Sequence, residues 1–127
     1  GLKASIINLL DNLVITKKFN VSYYFNFDNI RFSPHIETNL YRIVQEAINN
    51  IVKHSKANSV YLQMGVNEFI ISLSIEDDGV GFDLNEVRLR EGIGLKNIEN
   101  RTFYLNGSFL LESQPGKGTF LLVELPI

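Results

Sequence analysis

The sequence predicts a two-layer α/β sandwich: a mixed, largely antiparallel five-stranded sheet carrying three helices on one face. Three observations predict it. Segments of helical period and segments of strand character interleave in the order α-β-α-β-β-α-β-β. At least three of the strands look hairpin-linked, joined through short turn sequences. The clearest strand pattern is apolar on one face and polar on the other, the signature of a sheet covered on one side and wet on the other. With 127 residues the chain fits one compact domain, 1–127, with enough length for a single core.

Leu2, Ile6, Leu9, Leu10 and Leu13 recur at helical spacing, which predicts an amphipathic helix over 2–17. Phe19 to Phe27 is aromatic and β-branched and predicts a strand. Ser33-Pro34 marks a helix start, with the serine as cap and the proline pre-set in the first turn. That helix is expected over about 36–55, burying Leu40, Ile43, Val44, Ala47, Ile48 and Ile51 on one face. Arg42, Glu46, Asn49, Asn50 and Lys53 fall on another face.

Strands follow at about 59–66 and 69–77, turning at Asn67-Glu68. Phe69, Ile71, Leu73 and Ile75 share one face of the second; Ser72, Ser74 and Glu76 share the other. Residues 78–92 hold glycines and charges without a period and read as a loop. A third helix is expected over about 93–105, stopping at Asn106-Gly107. The last strands, about 108–113 and 119–125, are joined by Gln114-Pro115-Gly116-Lys117-Gly118, a turn sequence.

Composition removes several classes of function. The net charge of −2 gives no overall basic footprint for nucleic acid. With no cysteine there is neither a disulfide framework nor a thiolate metal site. No apolar run of about 18 residues is present to span a bilayer, and no basic-then-apolar leader is visible. The chain opens on Gly1-Leu2-Lys3 and is read as an excerpt of a longer protein, whose parent is free to be membrane-anchored.

Four motifs carry chemistry. In Gln45-Glu46-Ala47-Ile48-Asn49-Asn50-Ile51-Val52-Lys53-His54, Glu46 and Asn50 sit four apart on one helix face, and Lys53 and His54 extend the stripe. An amide oxygen near a carboxylate suits a hard, hydrated cation such as Mg²⁺ that keeps phosphates and waters. In Asp77-Asp78-Gly79-Val80-Gly81-Phe82, Asp77 continues the parity of Ile71, Leu73 and Ile75, so its carboxylate points into the covered layer and needs a donor there. The exocyclic amino group of a purine is a fitting one, and Gly79 and Gly81 let backbone come close to a ring. Gly92-Ile93-Gly94-Leu95-Lys96-Asn97 opens a helix and exposes amides at its positive end, a ready anion site. The loop of about 83–91, with Arg88 and Arg90, has the size and polarity of a lid. In Gly116-Lys117-Gly118-Thr119-Phe120, Thr119 shares parity with Leu121 and Val123 and faces inward, near Asp77. Taken singly, each motif also fits a plain solvated helix face, glycine turn or hairpin.

In this order and spacing the four motifs resemble the ATP-binding fold of histidine kinases, type II topoisomerases, the ninety-kilodalton heat-shock chaperone and mismatch-repair ATPases, the Bergerat fold. The wording Tyr41-Arg42-Ile43-Val44-Gln45-Glu46-Ala47-Ile48-Asn49-Asn50 with Lys53-His54 is similar to sensor histidine kinases, in the subgroup of nitrate-sensor-like and lipid-fluidity-sensor-like kinases. The resemblance implies ATP and Mg²⁺ as ligands. It implies that Asn50 coordinates Mg²⁺ and that Glu46 is the general base. Lys53 and His54 would lie beside the phosphates. Asp77 would accept from the adenine amino group, with Gly79 and Gly81 against the ring. Gly92 and Gly94 would hinge the lid, with Leu95 and the amides after it near the phosphates, and Thr119 would complete the adenine end.

The same resemblance implies partners: a helical dimerisation and phosphoacceptor domain of the parent protein and a response regulator downstream. It implies a bacterial cytoplasmic setting and a monomeric isolated domain. Neither His35 nor His54 resembles an acceptor histidine, and the phenylalanine motif of many kinase lids is not evident. An ATP hydrolase or anti-sigma-type serine kinase of the same fold, or a nucleotide-dependent binding module, are the alternatives.

Overall fold

The computed structural model describes residues 1–17, 19–85 and 94–127. It contains α1 (Leu2–Lys17), β1 (Asn20–Phe25), α2 (Pro34–Asn50), β2 (Ser59–Val66), β3 (Ile70–Asp77), α3 (Leu95–Tyr104), β4 (Ser108–Ser113) and β5 (Thr119–Pro126). The five strands form one mixed sheet in the order β1-β2-β3-β5-β4. β1 runs parallel to β2, and every other pairing is antiparallel. The two-layer sandwich expected from the sequence is the fold observed.

The helices bury their apolar faces against one side of this sheet, with α2 between α1 and α3. Leu2, Ile6, Leu10 and Leu13 of α1 and Leu40, Ile43, Val44, Ala47 and Ile48 of α2 are buried. They meet Val60, Leu62 and Met64 of β2, Ile71, Leu73 and Ile75 of β3, and Leu121, Val123 and Leu125 of β5. Each such side chain stabilises the fold by about 1.5–3 kcal/mol relative to exposure. On the uncovered face Tyr61, Gln63 and Glu76 are exposed.

Element ends follow local chemistry. Ser33 stands at the start of α2 with Pro34 in the first turn, but its hydroxyl makes no capping bond. Glu37 takes over: its carboxylate accepts the Phe32 N–H and a bidentate pair of bonds from Arg31. The Asn67 carbonyl oxygen of the side chain accepts the N–H groups of Phe69 and Ile70, which forms the β2–β3 turn. The third helix stops where Asn106 adopts φ 60°, with the Gly107 N–H returning to the Thr102 carbonyl.

One difference from the sequence reading matters for function. The long central helix is α-helical only to Asn50 and continues as a wider π-turn over Ile51–Ser55. Inserted π-turns are rare and cluster at functional positions. Here the Ser55 hydroxyl donates to the Ile51 carbonyl and accepts the Ala57 N–H, which holds the turn closed. Lys56 then adopts φ 53° and ends the element.

Candidate nucleotide-binding site

A cavity of about 380 Å³ opens between the sheet and the helices. Its walls are mostly apolar: Ala47 and Ile51 from the central helix, Ile75, Leu111 and Leu121 from the sheet, Leu95 and Ile98 from α3. Asn50, His54, Asp77 and Thr119 add a few polar groups. An apolar cleft of this size with sparse polar groups suits a flat heteroaromatic ligand.

Asp77 ends β3 and is 6% exposed. Its Oδ1 accepts the Gly79 N–H at 2.8 Å, and no described residue donates to its other oxygen. Burial pushes the Asp77 carboxyl above the usual carboxylate range; the Gly79 N–H opposes this, and the neighbouring charges of Asp78 and Glu76 add to it. Asp78 is exposed and behaves oppositely. The N–H groups of Ser59 and Asn58 donate to its Oδ1, both at 2.9 Å, and hold its carboxyl below the usual range.

Thr119 is the register partner of Asp77 across β3 and β5. The loop after Asp77 is fastened on both sides: the Val80 N–H donates to the Ser55 carbonyl at 2.7 Å, and the Gly116 N–H donates to the Val80 carbonyl at 2.6 Å. Gly81 follows with φ 65°, and a side chain there would collide with the Gln114 carbonyl, so the close approach of loop and hairpin requires glycine.

Along the central helix, Asn50 marks the border of the cavity. Ala47 and Ile51 fall to one side of it and line the wall; Glu46 and Lys53 fall to the other. Glu46 is half-buried, and the Asn97 amide donates to its Oε1 at 3.4 Å. Lys53 is exposed and does not line the cavity, whereas His54, one residue on in the π-turn, does. Gly94 stands at the start of α3 with φ 71°, and no side chain caps that helix. Leu95 lines the cavity. Gly92, Arg88 and Arg90 lie outside the described residues.

The structure therefore brings Asn50, His54, Asp77, Gly81, Leu95 and Thr119 to one cavity; Glu46 and Gly94 do not line it but touch each other, next in sequence to its wall residues Ala47 and Leu95. Sequence reasoning missed Ser55 and Ser113, whose contributions depend on tertiary hydrogen bonds. It also missed Phe82, Asp83 and Pro115 on the cavity wall.

The family model described as histidine kinase-, DNA gyrase B-, and HSP90-like ATPase matches residues 35–127. The chain belongs to this family. Within it, the chain corresponds to the ATP-binding catalytic domain of sensor histidine kinases. Over its full length it is 33% identical to the oxygen sensor histidine kinase NreB of Staphylococcus carnosus and to the sensor histidine kinase LiaS of Bacillus subtilis, covering 37% and 34% of those proteins. An uncharacterized sensor-like histidine kinase of Chloroflexus aurantiacus is 33% identical over all of this chain and 22% of its own length. The chain thus spans well under half the length of the curated relatives it matches.

Solved structures agree on the fold of this histidine kinase-like domain. The histidine kinase domain of a blue-light activated kinase from Erythrobacter litoralis superposes with a TM-score of 0.78 at 16% identity, covering 98% of this chain and 60% of that one. The catalytic domain of the histidine kinase ThkA gives 0.78 at 13% identity, covering 98% and 89%. No helix among the described residues is long and apolar enough to cross a membrane.

Proposed function

We propose that this domain transfers the γ-phosphoryl of ATP to a histidine on a separate helical dimerisation domain of the same parent protein. The observation that carries the reading is the buried Asp77 carboxylate, with one oxygen free of described donors, at an apolar cavity that Asn50 also lines. The adenine ring fills the apolar wall and its amino group donates to Asp77, beside Thr119. The triphosphate leads out past Asn50 toward the start of α3, whose uncapped first-turn amides favour anions.

Mg²⁺ fits this chain in a limited way. The described residues hold no cluster of carboxylates and imidazoles for a metal, but Mg²⁺ in a nucleotide site needs only one or two protein oxygens beside phosphates and waters. Asn50 Oδ1 is the oxygen that would hold it, and the ion would neutralise phosphate charge.

The rest is positioning and charge. The acceptor imidazole nitrogen bonds to the γ-phosphorus as the bond between that phosphorus and the β,γ-bridging oxygen breaks, and ADP departs carrying the oxygen. Glu46 accepts a hydrogen bond from the opposite ring N–H of that imidazole and so raises its nucleophilicity. Lys53 adds positive charge and His54 an N–H donor along the phosphate path, and Gly92 and Gly94 hinge the lid of about 83–91. The parent protein carries the phosphoacceptor helices, works at the cytoplasmic side of a bacterial cell and passes its phosphoryl group to a response regulator. The domain alone is monomeric.

The test is labelled ATP with a longer protein that restores the histidine-bearing helices. The reading expects Mg²⁺-dependent label that is acid-labile and base-stable. Acid-stable label would reassign the domain to serine phosphorylation.

A further inference from the structure

Ser113 ends β4, half-buried, opposite Thr119 in the β4–β5 register. Its hydroxyl has three polar neighbours. The Phe82 N–H points to it at 2.9 Å, the Gly118 carbonyl lies at 2.9 Å and the Thr119 Oγ1 at 3.1 Å. A hydroxyl has one proton and two lone pairs. The Phe82 N–H can only donate, so it takes one lone pair. The Gly118 carbonyl can only accept, and Gly118 is buried, so it takes the proton. One lone pair is left, and Thr119 must fill it by donating its own proton.

We propose that Ser113 thereby fixes the hydrogen-bond polarity of Thr119, turning it into an acceptor toward the cavity and making the site selective for 6-amino over 6-oxo purines. Thr119 lines the cavity directly across from Asp77, itself an acceptor. Two acceptors side by side match an exocyclic amino group, which has two protons to give. They repel a 6-oxo group, which is an acceptor itself. Were Thr119 free to turn its proton outward, it would tolerate the oxo group. Ser113 is a positioning residue here, because it acts on the ligand only through Thr119.

The inference rests on the nucleotide reading, and its test separates the two. The non-hydrolysable imido analogues of ATP and ITP, which differ at the 6-position and in the N1 proton that accompanies the oxo group, are titrated calorimetrically into the 127-residue chain and its variants. The wild type prefers the ATP analogue. In Ser113→Ala the preference falls roughly tenfold, about one hydrogen bond's worth of discrimination, mainly through tighter ITP binding. Ser113→Thr, which keeps the hydroxyl, retains the preference. Thr119→Val lowers the preference by a similar factor, and adding Ser113→Ala to it changes the ratio no further.

A purely structural Ser113 would weaken both analogues together and leave their ratio intact; that result, or an unchanged ratio in Thr119→Val, overturns the proposal. Thr119→Val alone decides the matter if Ser113→Ala does not fold. Failure of the wild type to bind either analogue sinks the nucleotide reading itself.

Discussion

Gly94, at the start of α3, packs directly against the Glu46 carboxylate of α2, so closely that a Cβ on Gly94 would overlap Oε1. The same glycine holds φ 71°, a conformation that costs other residues about 1–2 kcal/mol. Two independent constraints meet at one position, and they join the start of α3 to the residue proposed as general base.

Gly94→Ala is expected to destabilise the domain by about 2 kcal/mol or more, through backbone strain plus displacement of Glu46. Adding Glu46→Ala removes the overlap but not the strain. Thermal denaturation should therefore show the double variant less destabilised than the sum of the singles. Strict additivity would mean that the two side chains do not meet.

Asp77 and Asp78 are neighbours with opposite acid–base consequences. The Asp77 carboxyl sits above its unfolded value because burial disfavours its charge. Its folded form holds a proton more tightly than the unfolded chain does, so nucleotide-free stability falls as pH rises from the unfolded value through the folded one. Asp77→Asn should abolish that segment of the stability–pH curve, and at neutral pH should cost no stability in the absence of nucleotide. Denaturant unfolding across the acidic range checks both.

Asp78 titrates below its unfolded value because the Ser59 and Asn58 N–H groups prefer the carboxylate. Its contribution is complete above the unfolded value and is lost as pH falls through the folded one. Asp78→Ala should lower the melting temperature at neutral pH and flatten the lower end of the acid limb. It frees the N–H groups that fix the start of β2.

Glu37 supports α2 rather than the cavity. Its carboxylate is held below the usual range chiefly by the Arg31 guanidinium, with the Phe32 N–H assisting against burial. Glu37→Ala is expected to cost about 1 kcal/mol, typical of losing a helix-start hydrogen bond, with nucleotide affinity unchanged. Parallel melting and calorimetry separate these effects.

The parts of the site that were legible in the sequence obey a fixed period. Alternation along β3 and β5 is enough to turn Asp77 and Thr119 to the covered face, since a one-residue slip would expose Ile75 and Leu121 together. The i, i+4 relation puts Glu46 and Asn50 on one helix face, of which Asn50 lines the cavity. The π-turn was not legible, because Ile51-Val52-Lys53-His54-Ser55 carries no local signal distinguishing it from α-helix. Its geometry is held by Ser55 bonding within the turn and to Val80, a long-range partner. The stripe projected through Lys53 and His54 therefore meets the cavity at His54 and not at Lys53. Ser33 reads as a capping residue, yet Glu37 is better satisfied by reaching back to Phe32 and Arg31. The role of Ser113 depends on where Phe82 and Thr119 arrive in space, which no strand period encodes.

The central claim is that one cavity recognises a purine through Asp77 and a metal-bound triphosphate through Asn50. It is tested most directly by calorimetric titration of a non-hydrolysable ATP analogue, with and without Mg²⁺, into the wild type, Asp77→Asn and Asn50→Ala. The account predicts that Mg²⁺ tightens binding to the wild type. It predicts that Asn50→Ala binds weakly and indifferently to Mg²⁺. Asp77→Asn should lose roughly 5- to 150-fold in affinity in either condition, the cost of mispairing one buried polar group. Unaltered affinity in Asp77→Asn, or full Mg²⁺ dependence in Asn50→Ala, would contradict it.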